Sequence, residues 1–277
     1  MQEWLVSHEV LLDMPNKRIK VMNGQLLKDP NFFSNLNQLE ESSKCTKTII
    51  YTTKKNVPIG LDHGFALEGS IDGFYNGQNA YLLTRYQSVE RATSKALLEG
   101  ENTLTLVQKD LTNVTRKILP SNLSLRQAKP TDVQALSTLF RLVFPHYPTP
   151  VYDPNYLIKA MENTVFMVIH EDDCIVSVCS AEMMPGLSCA EITDCTTDPR
   201  YRGQNLLSYL FFALEEKMKQ LGIYYLYSLT RALSPPMNLT VKRHGYEYRG
   251  RLINNCVIYT GFEDMFIWVK PLRPTWD

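Results

Sequence analysis

No C-x-x-C pair occurs among the six cysteines (Cys45, Cys174, Cys179, Cys189, Cys195 and Cys256), and no metal site is expected from their spacing. Four of them fall in runs that read as buried strand, so reduced thiols in a cytoplasmic protein are the expectation. An excess of one charge is also missing: Lys plus Arg and Asp plus Glu both number 29, which leaves no basic field for nucleic acid or an anionic membrane. No apolar run reaches the roughly 18 residues of a membrane span. The opening "MQEWLVSHEV" lacks a basic region followed by an apolar stretch, so neither export nor anchoring is expected. Low-complexity segments are absent as well. What is present is an ordinary globular composition over 277 residues, long enough for a large core and expected to form two domains.

Two strings repeat. "HGFALEG" at 63–69 returns as "HGYEYRG" at 244–250. Around the first, "KTIIYTT" reads as a strand, "VPIGLDHG" as a short turn or helix ending in Gly64, and "FALEGSIDGFYNGQNAYLLTRY" as two strands around a glycine-asparagine turn. Around the second, "YYLYSL" is a strand, a helix runs from about Ser234 to Arg243 and closes at Gly245, and "YEYRGRLINN" and "FEDMFIWVK" form another hairpin. The shared order suggests a duplicated half-fold, although a glycine closing a helix before an aromatic strand is also ordinary C-cap chemistry.

Between the copies, "SVERATSKALLEGENT" is expected to be one helix and "VTRKILPSNL" a polar connector ending at Pro120, where the domain boundary is placed: 1–120 and 121–277. A strand ("LSLRQAK") and a helix begun near Thr131 or Asp132 follow, then three strands with tight turns. A helix from about Gln204 to Leu221 aligns Leu207, Leu210, Phe211, Leu214, Met218 and Leu221 in one apolar stripe.

The junction "CTTDPRYRGQNLLSYLF" joins a strand, a short Arg- and Gly-containing loop and this helix. Such a loop leaves backbone N–H groups unpaired at the positive end of a helix dipole, which suits a phosphate or pyrophosphate. Arg200 and Arg202 add charge-assisted donors.

The loop resembles the acetyl-CoA pyrophosphate loop of the GNAT N-acetyltransferase superfamily, with Arg200, Gly203 and Asn205 at its Q/R-x-x-G-x-G/A positions. "DCTTDPRYRG", "RALSPPMN", "GRLINNC", "GFEDMFIWVK", "VFPHYPTPVYDPNYL" and "EGSIDGFYNGQNAY" bring the resemblance closer to the β-lysine N-acetyltransferases. The resemblance implies an α/β (α+β) GNAT fold, a mixed, mostly antiparallel sheet flanked by helices, preceded by a smaller α/β domain that resembles a partial GNAT half. It implies direct acetyl transfer from acetyl-CoA to the terminal amine of β-lysine, forming a compatible solute. Two positions depart from the pattern. Asn205 replaces Gly or Ala, and Val241 stands where many members carry a tyrosine acid four residues before the closing glycine.

The resemblance further implies that Cys195, Thr196, Thr197, Arg200, Arg202, Gly203, Gln204, Asn205, Leu206, Ser234 and Asn238 bind acetyl-CoA. A backbone amide near Cys195 to Thr197 would hold the oxyanion, and helix capping is the competing role for Ser234. Attack requires a neutral amine, which costs an ε-ammonium about 4–5 kcal/mol at pH 7, so a base is needed. Glu191 is the candidate, with Asp194 as the alternative. Three residues apart, they face opposite sides of a regular strand, unless a bulge changes the parity. Cys195 as a covalent nucleophile has no histidine nearby in sequence.

Tyr147 and Tyr152 are expected to wall the acceptor pocket. Arg231, Arg251, Asn254, Asn255, Glu263 and Asp264 supply cations and acceptors for the carboxylate and β-ammonium of β-lysine, each with a packing role as its plain alternative. Lysine or a polyamine as acceptor, or a CoA-binding regulatory module without turnover, are the competing readings. The oligomeric state stays open, a homodimer included. Only the second copy follows a pyrophosphate-type loop, so one acetyl-CoA site is expected and the first copy is expected to be scaffold.

Overall fold

The computed structural model describes residues 9–144, 147, 149–259 and 261–272. Residues 1–8, and Pro145, His146 and Pro148 of the expected pocket-wall loop, lie outside the described residues.

The first half runs β1 (Val10–Asp13), β2 (Arg18–Val21), α1 (Phe32–Ser43), β3 (Lys47–Thr52), α2 (Val57–Asp62), β4 (Ala66–Tyr75) and β5 (Gln78–Tyr86). Two helices follow, α3 (Val89–Ala92) and α4 (Leu97–Lys109). The second half adds β6 (Ser124–Gln127), α5 (Val133–Val143), α6 (Pro154–Ala160) and β7 (Thr164–Glu171), then repeats the earlier order. That repeat is β8 (Cys174–Met183), β9 (Cys189–Thr197), α7 (Leu206–Gln220), β10 (Tyr225–Arg231), α8 (Pro235–Arg243), β11 (Glu247–Ile258) and β12 (Gly261–Pro271). None of the described helices is long and apolar enough to cross a membrane.

All twelve strands share one sheet, ordered β1-β2-β3-β5-β4-β11-β12-β10-β9-β8-β7-β6. Its first ten positions read the same from both ends once equivalent strands are exchanged. The only parallel pairs among the described residues, β2 with β3 and β9 with β10, are themselves equivalent. The duplication therefore extends beyond the repeated strings to the strand pair and helix before each.

The two glycines that close the strings meet at the centre: β4 and β11 pair through Gly69 and Gly250. A Cβ on Gly250, whose φ is +148°, would lie 2.2 Å from the Glu68 carbonyl oxygen, and one on Gly69 would lie 2.7 Å from that of Arg249. Side chains are excluded because the backbones cross there. Beside the crossing, fully buried Lys47 donates to Glu68 Oε2 at 2.9 Å and to the Ile253 carbonyl at 2.7 Å, tying the halves together.

Local pattern and structure part in two places. The helix expected over "SVERATSKALLEGENT" is broken into α3 and α4, because its carbonyls are bonded from outside. Asn254 Nδ2 bonds the Arg91 and Thr93 oxygens, and Arg251 bonds those of Ala96 and Leu97. On α7 the stripe holds at Leu210, Phe211, Leu214 and Met218, all fully buried, but Leu221 is exposed just past the helix end and Leu206 is buried.

Candidate active site

Strand β9 organises the site. Its parallel ladder with β10 runs from Cys189 only to Glu191, opposite Tyr227, and beyond that point the edge of β9 facing β10 has no strand partner. Against β8 the register slips between Val178 opposite Thr196 and Ser180 opposite Thr193, so Asp194 and Cys195 together oppose one residue. Asp194 has φ +50°, as a bulged residue does. This bulge turns Asp194 to the side on which Glu191 already lies, the change of parity that a bulge brings to a regular strand.

Two cavities adjoin at the bulge. One is a groove of about 410 Å³ lined by Cys195, Thr196, Thr197, Tyr201, Arg202, Gly203, Asn205, Leu206, Ser234 and neighbours on α7 and α8. Gly203 has φ +82° with open space where a Cβ would stand, and Asn205 is left-handed at φ +58° with no side-chain cap bond. The first-turn amides of α7 thus lie at the end of the groove, as a pyrophosphate requires. Asparagine is among the few residues that tolerate this backbone. Asn205→Gly should therefore preserve folding and acetyl-CoA affinity, whereas Asn205→Leu should weaken that affinity by roughly tenfold or more through left-handed strain. Titration calorimetry with CoA checks both, and equal affinities would refute the account.

Three residues expected at the donor lie outside the wall of the groove. The Arg200 guanidinium points back to Asp198, at 2.7 Å from Oδ2, and lines no part of the groove. Gln204 is exposed and outside its wall. Asn238 is fully buried, and all four of its side-chain bonds are internal. Its Oδ1 accepts from Thr230 Oγ1 (2.5 Å) and Trp268 Nε1 (2.9 Å), and its Nδ2 donates to the Arg231 (2.9 Å) and Ser234 (2.8 Å) oxygens. The Ser234 hydroxyl makes no cap bond and faces the groove.

The second cavity, about 650 Å³, holds Glu191, Asp194, Glu182 and Tyr147 on one side and Arg18, Lys20 and Asp13 on another. Glu182 lies directly across the ladder from Glu191. Burial, and then the charge of Glu182, raise the Glu191 carboxyl to about 7; Tyr227 hydrogen-bonds to it. Burial raises Asp194 to about 6, against the bonds it accepts from Ser180 (2.9 Å) and Tyr147 (3.0 Å). Two carboxyl groups poised near neutrality in one cavity suit proton abstraction.

Tyr147 thus lines this cavity, its ring stacked on Phe144 at 4.6 Å. Tyr152 does not: it donates to the Phe144 carbonyl at 2.5 Å and packs beneath α5 and α6. The remaining expected acceptor residues lie elsewhere. Arg231 pairs with Glu263 at 2.8 Å and Arg251 with Asp264, Asn254 donates its backbone N–H to Asp264, and buried Asn255 gives its carbonyl to Arg18. They fasten β11 and β12 to the rest of the chain. The cavity residues missed from sequence were Glu182, legible from strand alternation on β8, and Arg18 and Lys20, for which no local signal exists.

Cys195 Sγ lies 3.1 Å from Cys179 Sγ and against the Thr193 carbonyl, with no histidine among its contacts. Val241 is buried in the core, and Tyr201 in the groove donates its hydroxyl to Glu171. No cluster of three or more metal-binding side chains occurs among the described residues.

A donor groove with a helix-end anion cradle, opening at one bulge onto an acidic cavity, defines an enzyme that moves an acyl group to an amine. The model of the acetyltransferase (GNAT) family matches residues 133–246. The chain is 37% identical over 260 residues to N-acetyltransferase YodP of Bacillus subtilis, covering 93% of each chain. It is 31% identical over 261 residues to a beta-lysine N(6)-acetyltransferase of Methanococcus maripaludis, covering 92% of this chain and 93% of that one. A protein of the same name from Methanosarcina mazei is 32% identical over 259 residues, covering 86% and 95%. The chain belongs to the GNAT acetyltransferase family and is an N-acetyltransferase, with acetyl-CoA as the family's cosubstrate.

Proposed function

We propose that this enzyme acetylates the terminal amine of β-lysine by direct transfer from acetyl-CoA. The observation that carries the reading is the 650 Å³ cavity, which offers carboxylates for two ammonium groups and cations for one carboxylate. Two relatives of nearly the same span bear the name of that activity.

In this reading Glu191 removes the proton from the ammonium, and the lone pair attacks the thioester carbonyl. Amides on the unpaired edge of β9 near Cys195 to Thr197 take the developing oxyanion. The C–N bond forms as the C–S bond breaks, and the thiolate leaves along the groove, taking up the second proton that the nitrogen loses in becoming an amide. A thiol pKa near 8.5 makes this departure feasible without a tyrosine at Val241. Asp194, held by Ser180 and Tyr147, takes the β-ammonium or stands in as base.

The chain divides at residue 120 into a scaffold half and a catalytic half, with one donor site. In the first half the equivalent loop collapses onto its strand. A Cβ on Gly24 would lie 2.2 Å from Thr52 Oγ1, and Asn56 Nδ2 donates to the Gly24 carbonyl at 3.0 Å, where Gly203 has open space. Mixing protein, acetyl-CoA and β-lysine should release free thiol and one acetylated product. No release above background across an amine panel would sink the enzymatic reading for these acceptors, and calorimetry returning two CoA per chain would sink the single site.

A further inference from the structure

The acidic wall of the acceptor cavity comes from β8 and β9, but its cationic wall comes from the other half of the chain. Six strands (β3, β5, β4, β11, β12 and β10) separate β2 from β9 in the sheet, yet both line the same cavity, so the sheet curls to bring equivalent strands together. On β2, Ile19 and Val21 are fully buried toward α1, which sends Arg18 and Lys20 the other way, into the cavity. Lys20 is the third pair of its parallel ladder, opposite Ile49, and Glu191 is the third pair of the equivalent ladder, opposite Tyr227. The duplicated scaffold thus places a cation where the catalytic half places its carboxylate.

The two cations differ in what they already hold. Arg18 donates Nε to Asp13 at 2.7 Å and Nη1 to the Asn255 carbonyl at 3.1 Å, so it is committed to the frame. Lys20 makes no hydrogen bond or ion pair with any described residue, although it is half-buried beside a guanidinium. The charge of Arg18, and then burial, pull its ammonium below the usual lysine range, while Glu191 acts across the cavity in the opposite sense. Two like charges on one strand face, one of them unpartnered, leave room for a small anion.

We propose that Lys20 is the carboxylate-binding residue of the acceptor site, so that the scaffold half selects amino-acid amines over simple polyamines. The inference rests on the acceptor reading above and narrows it. Arg18 positions the subsite through Asp13 and Asn255, and the acceptor lies with its carboxylate on β2 and its reacting amine on β9. A charge-assisted bond of this type corresponds to roughly 10- to 100-fold in affinity.

The test compares wild type with Lys20→Met and Lys20→Arg on β-lysine, its neutral carboxamide and 1,4-diaminopentane, at about pH 8, above the value near 7 to which Glu191 is raised and further below the usual lysine range than pH 9. Wild type should favour β-lysine over both analogues by roughly 10- to 100-fold in kcat/KM, mainly through KM. Lys20→Met should erase that preference, bringing kcat/KM for β-lysine to within about threefold of that for 1,4-diaminopentane, and Lys20→Arg should restore much of it. Equal loss on all three acceptors, or a wild type indifferent to the carboxylate, overturns the proposal. Calorimetric binding of the same compounds without acetyl-CoA separates this from the transfer reading. Carboxylate-dependent binding lost in Lys20→Met upholds the subsite even where no acetyl group moves, and carboxylate-independent binding overturns it even where transfer is fast.

Discussion

Glu191→Gln is expected to lower kcat/KM for the amine by roughly 10²- to 10⁴-fold, the usual worth of a positioned base, with CoA affinity left intact. Glutamine keeps the volume and the Tyr227 contact but cannot take a proton. The wild-type pH profile carries the sharper signature. Burial and the charge of Glu182 raise Glu191 to about 7, so the basic form predominates above that pH and is lost as pH falls through it. The wild-type rate should therefore fall about tenfold per unit below the limb. Glu191→Gln should lose this limb, and Glu182→Gln should move it to lower pH by removing the facing charge. If Glu191→Gln keeps most of the rate while Asp194→Asn does not, the base is Asp194, whose limb lies near 6.

Gly250→Ala should be strongly destabilising for the addition of a single methyl group. Its Cβ would enter van der Waals space already held by the Glu68 carbonyl, 2.2 Å away, and by Gly69 Cα at 2.5 Å, on a backbone with φ +148°. Overpacking and left-handed strain together amount to about 3 kcal/mol or more. In a chain of this size that lowers Tm by about 6–12 °C. Gly64→Asn is the control: Gly64 has φ +78° and nothing within 4 Å of a Cβ, so the cost should stay below about 1 kcal/mol. Thermal unfolding of both variants decides the matter, and a Gly250→Ala protein as stable as Gly64→Asn would show that the halves do not depend on this crossing.

These two glycines show how much the repeated strings contained. The helix-closing role of Gly64 and Gly245 was legible, because a left-handed residue after a helix is a local requirement. The role of Gly69 and Gly250 was not, since each is needed only because the other lies against it. The donor loop was likewise legible: backbone amides at the start of a helix belong to one continuous segment, and Asn205 adopts the left-handed form its residue type allows. Arg200 and Asn238 went astray because a polar side chain takes whichever partner the fold brings nearest, Asp198 for one and Trp268 with Thr230 for the other.

The residues expected on the acceptor side hold one another for the same reason. Arg231, Arg251, Glu263 and Asp264 have the charges a zwitterion needs, but they pair with one another across β10, β11 and β12. By itself the sequence determined the strand, helix and hairpin around each repeated string and the donor loop, because periodicity and turn chemistry act within a few residues. Only the tertiary structure decided that a bulge turns Asp194 to the side of Glu191, and that Lys20 faces Glu191 from a strand 171 residues earlier. The first depends on how β9 registers against β8, and the second on how far a twelve-stranded sheet curls, neither of which any short stretch of sequence encodes.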